Sequence, residues 1–387
     1  MTLGCIGVGP QGTGLLRAAL GHAEGRVLAV CDVQAPRRDA ARDLVNQHYG
    51  NQDCAAYNDF RELLARDDID AVIIASPDHW HVPHGVAAAK AGKDMYVEKP
   101  FMLSLSQGQA LRDAVQRYGR VYQYGTQQRS AREFRFACEL VRNGRIGDLH
   151  TIKVGAPASR VSENIEPMPV PDWLDYDLWL GQAPWAPYSD KRIINDYWWH
   201  NTDYALGYVA GWGIHHVDIA QWGNDADLTG PIEVEGTGVF PSDGFCDCAI
   251  KWNVMMRYAN GVVLDYTDNA QNAQGIRFEG SEGWVYVRRG HLDAEPKALL
   301  KEQIRPNEIH LYESRDHMGN YLECVRTRAR TICPIEVAVR SDMICHLSEI
   351  TMRLGRPLRW DPAAERFVDD AAANRRLTRG MRAPWQV

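Results

Sequence analysis

Long apolar runs are missing from this chain: no stretch approaches the roughly 20 residues that a membrane-spanning helix needs, so a helical membrane protein is excluded. Also missing is any basic stripe. Lys and Arg number 43 against 50 Asp and Glu, for a formal charge of -7, and binding to a phosphate backbone requires concentrated positive surface. Nucleic acid is therefore not expected as the main partner. Cysteines are present but unpatterned: the nine are scattered, and only Cys246 and Cys248 sit close together. In a strand those two would share a face, but no second pair stands at zinc-site spacing. Reduced structural thiols and no metal centre are expected. Repeats and low-complexity segments are absent. The start, "MTLGCIGVGPQG", has no charged region followed by an apolar leader, from which a cytoplasmic location is expected.

What is present is the composition of a folded globular protein, 45% hydrophobic and 24% charged, and 387 residues favour two domains over one. Residues 3 to 12, "LGCIGVGPQG", run a short apolar strand into Gly7-x-Gly9-x-x-Gly12, with a helical "TGLLRAALGHA" behind it. A second strand, "RVLAVCD", then ends at Asp32, twenty residues past Gly12. Glycines at this spacing let backbone approach a pyrophosphate at a helix N-terminus, and an acid about twenty residues on holds ribose hydroxyls. A carboxylate there repels a 2'-phosphate, so NAD is preferred to NADP, although Arg37 and Arg38 nearby are able to offset part of that repulsion.

The alternation continues through a helix in "YNDFRELLAR", a strand in "IDAVIIAS", a helix in "HVPHGVAAAKAG", a strand in "DMYVEKP", a helix in "SQGQALRDAVQRYG" and a strand in "VYQYGTQ". Repeated β-α units specify an α/β, doubly wound parallel sheet over residues 1–125, with ligands beyond the carboxyl ends of its strands. Loops opening at Ser76, Glu98 and Gly125 all reach that edge. The charged Glu98-Lys99-Pro100 at a buried strand's end thus faces the dinucleotide.

After residue 126 the pattern shifts to a helix ("AREFRFACELVRNGRIG"), a strand ("LHTIKVGAPA"), an aromatic stretch and then five strands from 231 onward, with Asn260-Gly261 as a hairpin turn. Helices return at "MGNYLECVRTRA" and "EVAVRSDMICHLSEITMRLG". A second α/β domain with a large, open, mainly antiparallel sheet is expected over 126–357, with an arm over 358–387.

Together, "GCIGVGPQG", "SPDHWHVPHGVAAAKAGKDMYVEKP", "GRIGDLHTIKVG", "GWGIHHVDIAQW" and "HLSEITMRLGRPLRWDP" resemble the Gfo/Idh/MocA family of glucose-fructose oxidoreductase and inositol dehydrogenase. The resemblance implies an NAD-dependent enzyme that oxidises or reduces a secondary hydroxyl of a sugar, glycoside or cyclitol, and a homo-oligomer built through the C-terminal sheet. It places Gly7, Gly9, Gln11, Gly12, Asp32, Ser76, Pro77, His79, Trp80, His81, Glu98, Lys99 and Gln127 at the cofactor. His79 and His81 would also suit a metal at i, i+2; the resemblance sets them beside the nicotinamide instead.

Oxidising an alcohol requires a base with a pKa near working pH, and histidine fits. The family pattern pairs an aspartate with a histidine four residues on, facing the lysine of E-K-P. Here His215 falls on the histidine, but Gly211 falls on the aspartate. Lys99 and His215 are the expected catalytic pair. With the aspartate missing, His216 and the aromatic segment's Tyr197, His200, Asp203 and Tyr204 are candidates to share the proton work, and His216, Arg160, Tyr197, Trp199, His200 and Tyr204 are candidates for the sugar, since aromatic faces stack on the C–H faces of sugar rings. Two alternatives stay open. One is a redox-neutral NAD-dependent glycosidase, like the family's α-N-acetylgalactosaminidases, working by transient C3 oxidation, elimination, hydration and re-reduction. The other is a catalytically impaired sugar- or dinucleotide-binding protein, supported only by Gly211.

Overall fold

The computed structural model describes all residues, 1–387. Its first sheet has six parallel strands: β1 (Thr2–Ile6), β2 (Arg26–Cys31), β3 (Ala55–Tyr57), β4 (Ala71–Ile74), β5 (Asp94–Val97) and β6 (Tyr122–Tyr124), in the order β3-β2-β1-β4-β5-β6. Between them run α1 (Pro10–Leu20), α2 (Ala35–Tyr49), the short α3 (Phe60–Leu64), α4 (Asp78–Lys90) and α5 (Leu105–Arg117). The unbroken apolar run of β4 is explained by its two faces. Ala71 and Ile73 enter one hydrophobic cluster and Val72 and Ile74 another, so neither face meets water.

α2 and β3 are additions to the sequence reading. α2 buries only Ala41, Val45 and Asn46, so its apolar stripe is too thin to register as a period. α4 begins earlier than expected, at Asp78 with Pro77 as its N-cap. "DHW" is therefore the first turn of a helix rather than loop, and this turns His79 and His81 to different sides.

The second sheet has nine strands: β7 (Leu149–Ala156), β8 (Pro231–Val239), β9 (Lys251–Tyr258), β10 (Val263–Asp268), β11 (Gly275–Gly280), β12 (Gly283–Arg288), β13 (His291–Glu295), β14 (Leu358–Asp361) and β15 (Arg366–Phe367). They lie in the order β13-β12-β11-β7-β10-β9-β8-β14-β15, antiparallel except where β7 meets β10. β9 shows the half-buried alternation: Trp252, Val254, Met256 and Tyr258 point inward while Lys251, Asn253 and Arg257 point to solvent. The inner face packs on α6 (Arg132–Arg142), α10 (Gly213–Gly223) and α12 (Ile335–Leu354); short helices α7 (Tyr176–Leu180), α8 (Asn195–Trp198) and α9 (Gly207–Gly211) punctuate the aromatic stretch. Cys246 and Cys248 lie before β9 in no strand, and all nine cysteines are free and buried.

Two segments cross the sequence-derived boundaries at 125 and 357. α11 (His317–Thr327) packs into the first domain: Met318, Tyr321 and Leu322 join the cluster of Leu3, Val27 and Ile73, and the Tyr321 hydroxyl donates to Val72 O at 3.1 Å. A doubly wound sheet must cover both faces, and this helix supplies part of the cover. The arm after 357 adds β14 to the edge of the second sheet beside β8, then passes through α13 (Ala371–Arg375). It then pairs Arg382 with Asp177 of α7 at 2.6 Å and reaches the first domain, where Trp385 meets Trp80 at 4.9 Å.

Candidate active site

A cavity of ≈ 540 Å³ opens along the carboxyl ends of the first sheet and is lined on its other side by the second domain. Its floor is the glycine loop. Gly7 has φ +80°, and a Cβ there would come 2.4 Å from Ser76 N; one on Gly12 would lie 1.9 Å from Gly7 O. Gly9 faces the cavity, where a Cβ would lie 3.1 Å from Arg37 Nη1. The two outer glycines therefore let the turn close, and the middle one leaves the space a pyrophosphate would fill.

Asp32 stands at the end of β2 with its oxygens accepting from Val8 N and Gln34 N, both at 2.9 Å. Burial raises its pKa, and those two backbone N–H groups, then Arg37 and Arg38, act against the rise. Each carboxylate oxygen retains a lone pair for ribose hydroxyls. Glu98, at the end of β5, ties three segments together: its Oε1 accepts from Gln11 and Gln127, each at 2.8 Å, and its Oε2 from Lys99 N at 3.0 Å. These features fit a dinucleotide: an open glycine cradle, an acid placed for a ribose and a far end lined from both domains.

At that far end stand Lys99 and His215, brought together from opposite domains. The polypeptide breaks at Trp212 between α9 and α10, so His215 N bonds to Trp212 O at 3.1 Å. The break leaves the Gly211 carbonyl without that partner. Lys99 Nζ donates to it at 2.8 Å, so a main-chain oxygen anchors the lysine where the family pattern has a carboxylate. His215 is 3% exposed, with Nδ1 unpartnered. Burial first, then the positive charges of Lys99 and Arg289, push its pKa well below the ordinary histidine value. The imidazole is thus held in its neutral form, and the same burial and cations disfavour the imidazolium that proton uptake would create.

Most of the expected cofactor residues line this cavity: Gly7, Gly9, Gln11, Asp32, Ser76, Pro77, Trp80, His81, Glu98, Lys99 and Gln127. Gly12 lies beneath the turn. His79 is turned away, fully buried, its Nε2 bonded to Trp179 O at 2.9 Å. Of the expected sugar residues only Trp199 reaches the wall. His216 points the other way, to Gly155 O at 2.9 Å, because adjacent helical residues diverge by about 100°. Tyr204 is fully buried with its hydroxyl accepting from Arg192 at 3.0 Å. Arg160 lies over the Tyr197 ring at 4.6 Å, and Asp203 also lies off the wall. His200 sits behind the wall, edge-on to Tyr208 at 4.7 Å.

Residues that the sequence reading missed include Asp78, Tyr208, Trp212 and Arg289, all on the wall. Asp78 is 3% exposed with Oδ2 unpartnered, and burial drives its pKa well above the usual carboxylate range against the pull of Lys99. Trp212 and Tyr208 flank the glycine-histidine motif and were within reach of a helix-face argument. Arg289 lies on a distant hairpin and carried no local signal.

Similarity to known proteins follows this geometry. A family model described as "Oxidoreductase family, NAD-binding Rossmann fold" matches residues 1–126, and "Oxidoreductase family, C-terminal alpha/beta domain" matches residues 159–387. An α-N-acetylgalactosaminidase of Shewanella oneidensis is 34% identical over 151 residues, 38% of this chain and 33% of that protein. The chain therefore spans about a third of the length of the curated relatives it matches. The WlbA dehydrogenase of Bordetella pertussis, solved with NADH and UDP-GlcNAcA, superposes with a TM-score of 0.68 at 16% identity over 93% of this chain and 98% of that one. A levoglucosan dehydrogenase solved with NADH and levoglucosan gives 0.67 at 16% identity, over 93% and 99%; at such identities the likeness is one of fold. With both domain models matched across most of its length, the chain belongs to the Gfo/Idh/MocA family of NAD-binding oxidoreductases.

Proposed function

We propose that the protein is an NAD-dependent oxidoreductase acting on a secondary hydroxyl of a sugar, glycoside or cyclitol. The observation that carries this reading is the meeting of Lys99 and a neutral His215 in the same cavity that the glycine turn, Asp32 and Glu98 line. NAD, held by the glycine turn, Asp32 and the Glu98 cluster, supplies the hydride acceptor. Lys99 donates to the reacting oxygen and steadies the charge that develops there. His215 takes the hydroxyl proton. Trp199, Trp212 and Tyr208 offer aromatic faces to the ring. The Asp32 carboxylate favours NAD over NADP by repelling a 2'-phosphate, even with Arg37 beside it.

A second reading, the redox-neutral glycosidase, is favoured by the similarity to the Shewanella oneidensis α-N-acetylgalactosaminidase. It requires a further acid for the leaving group. Tyr208, whose phenol stands on the cavity wall beside Trp199 and Trp212, is the hydroxyl placed for that role. Purified protein incubated with aryl glycosides and free sugars, with and without added NAD, separates the two readings. Accumulating NADH without aglycone supports the dehydrogenase; aglycone release without net NADH supports the glycosidase. Sugar binding with neither signal leaves only a binding protein.

The outer face of the nine-stranded sheet, with Val239 51% exposed and Met255, Trp284 and Tyr286 half-buried, is the surface for self-association in this reading. Sedimentation at the mass of one chain would rule that out.

A further inference from the structure

The hairpin joining β12 to β13 turns on Arg289-Gly290, with Gly290 in the left-handed region at φ +68° and its N–H donated to Glu133 Oε1 at 3.1 Å. This turn carries Arg289 from the far edge of the second sheet to the cavity wall that holds Lys99 and His215. Its guanidinium lies 5.2 Å from the centroid of the Trp212 ring. Gln128, oriented so that its amide donates to His215 O at 2.7 Å, accepts from Arg289 Nε at 3.3 Å. The arginine is thus aimed by a stacked indole and one side-chain amide.

No carboxylate lies within 4.0 Å of that guanidinium. The nearby acids are otherwise engaged. Glu98 accepts from Gln11, Gln127 and the Lys99 backbone. Glu133 holds the turn through Gly290, and burial pushes Asp78 toward its protonated form. Lys99 and Arg289 therefore line one end of the cavity together; Glu98 lies on the same wall and its charge favours the Arg289 guanidinium, but it forms no ion pair with it, and the outer fork of that guanidinium has no protein partner. Stacked guanidinium groups whose fork is unfilled are matched by planar or tetrahedral oxyanions.

We propose that Arg289, presented over Trp212 by the β12–β13 hairpin, receives an oxyanion substituent of the substrate, so that the enzyme acts on acidic sugars rather than neutral ones. This rests on the sugar-oxidoreductase reading above and narrows its substrate class. A carboxylate and a phosphate share the required chemistry.

The test compares matched substrates of gluco, galacto and manno configuration: the methyl glycoside, its uronic acid, the methyl ester of that acid, and the 6-phosphate. Rates of NADH or aglycone formation are paired with binding by titration calorimetry in the presence of NAD. The uronic acid or the phosphate is expected to exceed its neutral partners by roughly 10- to 100-fold in kcat/KM, mostly through KM, as for one hydrogen-bonded charge. Whichever anion wins identifies the source. Arg289→Gln brings the acid-to-neutral ratio close to one, and Arg289→Lys restores part of it. Equal handling of acid, ester and neutral glycoside by the natural protein overturns the proposal, and so does an unchanged ratio in Arg289→Gln. If no sugar of any class binds or reacts, the oxidoreductase reading falls and takes this one with it.

Discussion

Lys99 is held at 2.8 Å by the carbonyl of Gly211, the residue that stands where the family pattern has aspartate. An anchor of this kind sets position without adding negative charge. Replacing Lys99 by Ala should leave calorimetric NAD binding intact while lowering turnover by about a hundredfold to ten-thousandfold, the range for a lost proton-handling group. Turnover within a factor of a few of the natural protein would remove Lys99 from the mechanism. Gly211→Asp is sterically open, since a Cβ there meets only Tyr208 Cδ1, at 3.6 Å, and the backbone is not left-handed. The variant should fold with an unchanged melting temperature and shift the acidic limb of the pH-rate profile, because a carboxylate beside His215 favours its protonated form. An identical profile would mean that this position does not couple to the histidine.

At the scale of elements, α10 is positioned by a buried ion network. Arg129, 1% exposed, donates to Asp218 through Nε and Nη2 at 2.8 Å and to Asp227 at 2.7 Å, while Ser341 of α12 donates to Asp218 at 2.7 Å. This network fixes the helix that carries His215. Asp218→Ala leaves a buried guanidinium with one half-exposed partner, and a loss of about 3–5 kcal/mol is expected by denaturant titration. A change under about 1 kcal/mol would show that water replaces the carboxylate. The glycine turn is equally intolerant. In Gly12→Ala the new methyl meets a main-chain oxygen rather than a flexible side chain, so NAD affinity should collapse along with stability, the latter by the upper end of about 1–3 kcal/mol.

For the molecule as a whole, histidine burial sets the response to acid. Burial lowers the pKa of His79 to about 3, of His81, His200, His216, His317 and His346 to about 4, and of His84 and His215 well below the ordinary value. These folded-state values lie below the unfolded value of about 6.5. As pH falls through that value the unfolded chain binds protons that the folded chain does not, and stability declines until pH nears 4. Asp342, raised by burial to about 7, and Asp78, Asp32, Asp203 and Glu349, also raised by burial, act in the opposite sense, since their folded forms protonate first. The histidines outnumber them, so the calorimetric melting temperature should drop between pH 6.5 and 4. Each unbalanced proton contributes about 1.4 kcal/mol per pH unit. A midpoint that holds or rises over that window would show the carboxyls to dominate.

The sequence by itself determined the doubly wound parallel sheet and the glycine turn at its carboxyl edge, because a Gly7-Gly9-Gly12 turn, an acid twenty residues on and buried strands are local patterns whose geometry follows from backbone sterics. It also singled out Lys99 and His215 through motifs carried on single elements. Tertiary structure alone decided that α11 and the C-terminal tail cover the first domain, that a main-chain carbonyl at Gly211 anchors Lys99, and that Tyr204 and His216 face away from the cavity. It alone brought Arg289 from an edge hairpin to the cavity wall that Lys99 and His215 share. Contacts between residues 100 or more positions apart depend on how whole elements pack, and no local periodicity encodes them.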